Sequence, residues 1–143
     1  MAYSIGQVAQ LTGLSTHTLR YYDKYGLLPK VQKNSAGLRR FTEDDLNLLN
    51  LIECLKSTGL KLKDIRHYID LMQQGERTLS ERYQIFLKQK QSLLLRQQEL
   101  LRNMEKLDFK IRYYKTALKY GEANVYKKNK QLASDRARLF AKF

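Results

Sequence analysis

The chain has 143 residues, and its 27 Lys and Arg against 14 Asp and Glu produce a formal net charge of +13. Hydrophobic residues make up 43%, which is enough for the core of one small domain with an appendage and excludes wholesale disorder. A single Cys and two His exclude a disulfide framework, a four-ligand zinc site and a His-rich metal centre, so we expect no cofactor and no metal.

The charge favours a polyanionic partner, and nothing in the sequence indicates a membrane. The longest apolar runs, such as residues 93–95, fall far short of the ~18 residues of a bilayer-spanning helix, and no charged-then-apolar leader opens the chain. We therefore expect a cytoplasmic protein. We do not expect an enzyme, because His17 and His67 lack catalytic partners and no paired-carboxylate or phosphate-loop pattern is present.

Two short helices and a hairpin are predicted at the start of the chain. Ser4 and Gln7 form a capping-box pattern that opens the first helix. Ser15 is the expected N-cap of the second helix, and Gly26 suits the left-handed position at its end. Residues 30–41 contain a turn cluster between short segments, which predicts a hairpin.

Two further helices follow the hairpin. Thr42 precedes three carboxylates, the pattern of a helix start, and Gly59 ends the apolar repeat of this third helix. A fourth helix is predicted over residues 62–74. Thr78 and Glu81 form a second capping-box pattern, which predicts the start of a much longer helix.

The long helix carries an apolar repeat with alternating steps of four and three residues. Ten of the twelve positions from Leu79 to Leu118 are apolar, the exceptions being Lys90 and Gln97. This repeat is typical of a coiled coil about 60 Å long, and a head of this size is too small to cover it, so we expect a homodimer. The seam does not determine the direction of the two helices. The expected dimerisation residues are Leu79, Tyr83, Phe86, Leu93, Leu100, Met104, Leu107, Ile111, Tyr114 and Leu118.

The order of elements predicts an all-α protein with a small β-hairpin wing, that is, a winged helix-turn-helix head followed by a long dimerising coiled-coil helix. We place the DNA-binding head at residues 1–77, the dimerisation helix at residues 78–120 and a basic tail at residues 121–143. A weak apolar pattern from Leu132 to Phe143 predicts a short terminal helix in the tail.

The first turns of the second helix are the part of such a head that meets base edges in a major groove. Thr16, His17 and Arg20 lie at steps of one and three on this part of the helix, and Arg20 is suited to a base or to a phosphate. Residues 1–41 carry a local net charge of +5. Charge and element order therefore both point to nucleic acid.

Several motifs of the head occur in register with those of one family. They are Ile5-Gly6-Gln7-Val8-Ala9, Gly13-Leu14-Ser15, Thr18-Leu19-Arg20-Tyr21-Tyr22, Gly26-Leu27-Leu28-Pro29, Gly37-Leu38-Arg39-Arg40-Phe41-Thr42, Asp45-Leu46 and Leu55-Lys56-Ser57-Thr58-Gly59-Leu60. With the long helix, they resemble the MerR family of bacterial transcription regulators over roughly residues 3–118. The resemblance implies a homodimeric activator on double-stranded promoter DNA, which bends and untwists an over-long spacer so that RNA polymerase meets both promoter elements.

The resemblance also implies individual DNA contacts. It places one Tyr of the Tyr21–Tyr22 pair on the DNA backbone, and we expect Tyr21 to face outward and Tyr22 to pack in the core. Leu38 and Phe41 depart from the usual aromatic residue and Tyr of the family, and Phe41 lacks a hydroxyl for a phosphate. The candidate DNA-binding residues are Thr16, His17, Thr18, Arg20, Tyr21, Arg39, Arg40, Lys61 and Lys63, the last two being Lys where the family often has Ser or Thr.

The resemblance extends to a subgroup and to one cysteine. The family's metal sensors carry Cys at the start of the long helix and in a C-terminal loop, where this chain has none, and the ~25 residues after the coil are too few for a ligand domain. Several segments resemble those of the AdhR/NmlR-type regulators. They are Lys33-Asn34-Ser35-Ala36-Gly37, Glu53-Cys54-Leu55, Gly75-Glu76-Arg77-Thr78 and Leu107-Asp108-Phe109-Lys110-Ile111 with Tyr113-Tyr114. This implies a stress response to reactive aldehydes or related electrophiles through Cys54. The nearby cations Lys56 and Lys61 would favour the thiolate form of Cys54.

Alternatives to this sensing hypothesis remain open. A lone helical Cys is usually an inert small hydrophobe, so Cys54 is also compatible with a repressor or architectural protein that has no effector. The aromatic residues Phe109, Tyr113 and Tyr114 are compatible with a pocket for a non-covalent effector, although core packing explains them as well.

Overall fold

The computed structural model describes residues 2–141, in which helices dominate and a single antiparallel hairpin is present. The hairpin strands are β1 (Gln32–Lys33) and β2 (Arg39–Arg40), with Gln32 opposite Arg40 and Lys33 opposite Arg39. The helices are α1 (Ile5–Thr12), α2 (Thr16–Tyr25), α3 (Glu43–Ser57), α4 (Leu62–Gln73), α5 (Leu79–Tyr120), α6 (Val125–Lys128) and α7 (Lys130–Leu139), with short 3-10 turns at Glu76–Thr78 and Glu122–Asn124. The fold predicted from the sequence is confirmed.

The first two helices begin and end as their local sequence predicts. Gln7 donates its backbone N–H to Ser4 Oγ at 3.2 Å, and the Ser4 N–H donates to Gln7 Oε1 at 2.9 Å, which completes the capping box. Ser15 Oγ caps α2 by accepting the Thr18 N–H at 3.0 Å. Gly26 ends α2 with φ of 88°, a left-handed conformation that a side chain would strain.

The capping box predicted at Thr78 and Glu81 does not form. Thr78 is buried in the 3-10 turn that leads into α5, so its backbone already turns like a helix and it does not take the extended conformation of an N-cap. Its hydroxyl lies 2.6 Å from the Leu71 carbonyl oxygen and 2.9 Å from that of Gly75, and it accepts from Arg82 Nε at 3.0 Å. Thr78 therefore ties the end of α4 to the start of α5.

The described chain forms two compact units, residues up to 91 and residues from 92 onward. The first unit contains α1 to α4, the hairpin and the first turns of α5 around one apolar core. Within it, Phe86 of α5 packs edge-on against Tyr68 of α4 at 5.0 Å between ring centroids. The buried core residues are Val8, Leu19, Tyr22, Leu27, Leu28, Phe41, Leu49, Ile52, Leu55, Ile65, Tyr68 and Ile69.

The second unit has a smaller core in which Phe109 of α5 meets Val125 of α6 and Leu132 of α7. Asp135 of α7 is buried beside this core and accepts from Arg112 Nη1 of α5 at 2.7 Å. The terminal helix predicted from Leu132 onward is present and ends at Leu139, and Phe143 lies outside the described residues. The tail is thus folded onto α5.

The ten apolar seam residues of α5 are all exposed, with 39% to 89% of their surface accessible. A second row, Leu87, Leu94 and Leu101, is exposed beside the seam and was missed in the sequence pattern. This row runs past the polar seam positions Lys90 and Gln97, so the apolar stripe shifts sideways there. Among the described helices, none is long and apolar enough to cross a membrane.

Candidate DNA-binding surface

The N-terminal part of α2 presents polar and cationic side chains to solvent. His17, Arg20 and Tyr21 are exposed, whereas Thr16 is half-buried. Arg20 Nη1 lies 3.5 Å from Thr16 Oγ1, one turn earlier on the same face. Because His and Arg side chains can donate to base edges or phosphates, this face has the composition that a major groove requires.

Thr18, also predicted to bind DNA, is placed differently from its neighbours. Its hydroxyl lies 2.9 Å from Ser15 Oγ, and its backbone N–H donates to the same oxygen. The side chain is half-buried. Thr18 therefore contributes to the start of α2, and its hydroxyl is already paired.

The two adjacent tyrosines of α2 face opposite ways, as predicted. Tyr21 is 50% exposed, whereas Tyr22 is 1% exposed and lies in the core. The Tyr22 hydroxyl donates to Glu53 Oε1 of α3 at 2.8 Å and accepts from Lys56 Nζ at 2.8 Å. Burial raises the pKa of Tyr22, and the bond from Lys56 acts in the opposite direction. Tyr22 thus connects α2 to α3.

The hairpin is joined to α2 by one ion pair. Arg39 Nε donates to Asp23 Oδ2 at 2.7 Å, and only 15% of the Arg39 side chain is exposed. Arg40, the next residue, is exposed. The Arg39 Nε is thus engaged with a carboxylate of the same head, and the contact of Arg39 with the DNA backbone, which the family resemblance implies, stays a prediction. Arg39 therefore holds the hairpin against α2.

The hairpin tip and base differ in exposure. Leu38 is exposed at the tip, while Phe41 at the base is fully buried and its backbone pairs with Tyr3. Phe41 is thus a core residue, in agreement with its missing hydroxyl. Between hairpin and helices lies a groove of about 140 Å³, lined by Ser4, Ile5, Arg20, Gly37, Leu38, Arg39 and Arg40.

A second cationic group lies at the start of α4. Lys61 and Lys63 are exposed there. On the same helix, the Arg66 guanidinium stacks over the Tyr25 ring, with 4.7 Å from Cζ to the ring centroid, and Tyr25 lies 5.7 Å from the ring of Tyr21. Tyr25 and Arg66 were not among the residues predicted from the sequence, although the i, i+4 spacing of Tyr21 and Tyr25 on α2 indicated a shared face. The stack extends the cationic surface from α2 to α4.

Cys54 is exposed on α3. Its neighbour Glu53 binds the Tyr22 hydroxyl, and Lys56, expected to favour a Cys54 thiolate, is directed to Tyr22 and to Glu53 Oε1 at 3.7 Å. Lys56 thus has another role in this head. Over residues 2–141, no group of three or more His, Cys, Asp and Glu side chains is placed to hold a metal ion.

Residues 3–71 match the family described as MerR HTH family regulatory protein. An HTH-type transcriptional regulator of Haemophilus influenzae is 40% identical over 125 residues, which cover 87% of this chain and 93% of that protein. The Bacillus subtilis regulator AdhR is 35% identical over 91 residues, covering 64% of this chain and 65% of AdhR.

One solved structure combines similar sequence and similar fold. It is the crystal structure of HiNmlR, a MerR family regulator lacking the sensor domain, bound to promoter DNA. HiNmlR is 40% identical, with a TM-score of 0.72 over 85% of this chain and 96% of that chain. Together with AdhR, it supports the AdhR/NmlR-type subgroup. The chain belongs to the MerR family of helix-turn-helix, DNA-binding transcription regulators.

Proposed function

We propose that this chain regulates transcription as a homodimer whose two heads bind double-stranded promoter DNA between the −35 and −10 elements. The observation that carries the proposal is the exposed face of α2, with His17, Arg20 and Tyr21 beside the cationic hairpin. HiNmlR, a relative with the same fold, was crystallised on promoter DNA, which supports the same partner here.

The candidate residues have different roles in this proposal. Thr16, His17 and Arg20 face the bases, because they lie on the first turns of α2. Tyr21, Arg40, Lys61 and Lys63 bind phosphates from exposed positions, with Arg66 as an addition. Thr18 stabilises the start of α2, and Arg39 sets the position of the hairpin.

The dimer is formed through α5. Its exposed apolar seam and the second row at Leu87, Leu94 and Leu101 form a larger uncovered apolar surface than a monomeric protein usually has. A second copy of the same helix covers such a seam by knobs-into-holes packing. Two equal heads then require a palindromic operator.

The bound dimer activates by deforming its promoter. In this proposal it bends and untwists an over-long spacer, so that RNA polymerase meets both promoter elements. Transcription is then controlled by the free energy of deforming the promoter DNA. Footprinting on the promoter of its own gene tests this. We expect protection between the two elements with a hypersensitive position at the centre, whereas protection that covers either element and blocks polymerase would indicate a plain steric repressor.

The effector in the proposal is a reactive aldehyde or related electrophile that modifies Cys54. Two observations support this effector. The Cys54 thiol is exposed, and the adjacent residue Glu53 accepts a hydrogen bond from Tyr22 of α2, the proposed recognition helix. Transcription in vitro with purified polymerase, with and without formaldehyde or methylglyoxal, tests the wild type and Cys54→Ser. We expect induction in the wild type alone, with promoter binding equal in both proteins.

The same experiment decides the alternative. Lys56 is engaged by Tyr22 and Glu53, so it does not act as an activating cation for the Cys54 thiol. This observation favours the alternative in which Cys54 is not the sensor. If induction persists in Cys54→Ser, the thiol is not the sensor. If neither protein responds to any electrophile while both bind the promoter, the chain is a regulator with another effector or with none.

A further inference from the structure

A surface cavity of about 470 Å³, broadly open to solvent, lies in the second unit, between the last turns of α5 and the helices α6 and α7. Its volume falls within the ~300–1,000 Å³ of small-molecule sites. Five aromatic rings line it, and successive centroids are 5.1 to 6.4 Å apart. These rings belong to Phe109, Tyr113, Tyr114, Tyr126 and Phe140. The cavity therefore offers aromatic ring faces and polar groups to a planar guest.

Two cations on the rim are held by rings instead of carboxylates. Lys110 Nζ lies 5.9 Å from the centroid of Phe109 and 5.2 Å from that of Phe140, and Arg136 Cζ lies 5.6 Å from that of Tyr126. Neither cation forms an ion pair in the described part of the chain. A cation over a ring keeps its N–H groups free for an anion, because the ring face accepts charge and not a directed hydrogen bond.

Two carboxylates outside the lining, those of Asp135 and Glu105, are paired with other groups. Asp135 is engaged by Arg112 and Gln131, and Glu105 by Arg138. These pairs lie on the neighbouring surface and leave Lys110 and Arg136 as the available cations of the cavity.

One carboxylate, Glu122, does line the cavity. Partial desolvation and the charge of Glu122 raise the pKa of Tyr113, while Arg136 acts in the opposite direction. The Tyr113 hydroxyl therefore stays protonated at neutral pH. With two cations and one carboxylate, the lining carries one net positive charge, which suits a monoanion.

We propose that this cavity binds an aromatic monocarboxylate, with its rings packed against the side chains of Tyr113, Tyr126 and Phe140 and its carboxylate on Lys110 and Arg136. Ring stacking selects a planar guest, and the two cations select a carboxylate over a neutral group. Tyr114 lines the cavity and is also a seam residue of α5. An effect of the ligand on transcription rests on the proposed function, but binding itself does not.

The test is isothermal titration calorimetry on the full chain with three probes. 2-Naphthoate has rings and charge, 2-naphthylmethanol has the rings alone, and octanoate has the charge alone. We expect 2-naphthoate to bind with one site per chain. The other two probes should bind at least about tenfold more weakly, since each lacks one of the two contacts.

Two variants and a matched control locate the site. Lys110→Gln and Arg136→Gln each remove one cation, and each is expected to weaken 2-naphthoate binding by about tenfold. Lys127→Gln removes the same charge from an exposed position of α6 and is expected to bind like the wild type. Circular dichroism confirms that the variants fold, and promoter binding without ligand is measured separately, so that failure of the DNA-binding proposal is distinguishable.

Three results would overturn the proposal. They are no measurable heat with 2-naphthoate, equal affinity for 2-naphthoate and octanoate, and an affinity that falls no further in Lys110→Gln and Arg136→Gln than in Lys127→Gln.

Discussion

The Tyr22 hydroxyl of α2 donates to Glu53 Oε1 of α3 at 2.8 Å, directly beside the exposed Cys54. Lys56 Nζ binds the same hydroxyl at 2.8 Å, so the tyrosine is held between an anion and a cation. This is a polar connection between the helix proposed to contact bases and the helix that carries the thiol. A displacement of α3 at residue 53 would thus act on α2 through the Tyr22 hydroxyl.

Tyr22→Phe tests what this connection contributes to stability. The ring stays packed, but the bonds to Glu53 and Lys56 are lost, so we expect the free energy of unfolding to fall by about 1–2 kcal/mol. The measurement is urea unfolding followed by circular dichroism. Tyr21→Phe is the matched control, because the exposed Tyr21 hydroxyl has no hydrogen bond in the described structure, and it should unfold like the wild type. Equal midpoints for all three proteins would contradict the prediction.

The same cluster predicts a loss of stability at alkaline pH. Burial raises the pKa of Tyr22 above the usual 10.0, and the bond to Tyr22 raises the pKa of Lys56 above the usual 10.5. The folded state therefore keeps these protons longer than the unfolded chain, and the stability they contribute is complete below pH about 10 and declines as the pH rises further.

Urea unfolding at pH about 8 and about 10.5 measures this decline. We expect a larger decline in the wild type than in Tyr22→Phe, which lacks the phenol and the main contact of Lys56. Because all other titrating groups are shared, an equal decline in both proteins would show that the cluster does not titrate as described.

Asp23→Asn tests whether Arg39 acts by positioning the hairpin. The substitution removes the charge that holds Arg39 at 2.7 Å without changing any proposed DNA contact. If positioning dominates, promoter affinity measured by fluorescence anisotropy falls by about threefold to tenfold, equivalent to about 1 kcal/mol. A higher affinity would instead show that Asp23 competes with phosphate for Arg39, and an unchanged affinity would contradict the positioning role.

Leu100→Glu tests the dimer seam. Leu100 is exposed on α5 at the centre of the seam, and a buried, unpaired carboxylate there should dissociate the dimer at micromolar concentration. Sedimentation equilibrium measures the mass directly. Gln98→Glu adds the same charge two residues away, off the seam, and should remain dimeric. A monomeric wild type, or a dimeric Leu100→Glu, would contradict the assignment of the seam.

Local features of this chain are determined by the sequence alone. The capping box at Ser4 and Gln7, the left-handed Gly26 and the 3-4 repeat of α5 involve residues within a few positions of each other, so propensity and periodicity predict them. The exposure of Tyr21 and the burial of Tyr22 were expected from the family resemblance, and the structure agrees. These features predicted the order of helices and hairpin, whereas the proposed DNA-binding role of α2 also depended on the family resemblance.

Contacts between distant residues were decided by the tertiary structure. The pairing of Arg39 with Asp23 joins residues 16 positions apart, and that of Tyr22 with Glu53 joins residues 31 positions apart. Thr78 lost its predicted cap because packing against the end of α4 offered its hydroxyl a buried carbonyl. Side-chain identity sets which bonds a residue is able to make, but the packed chain sets which partners lie within reach.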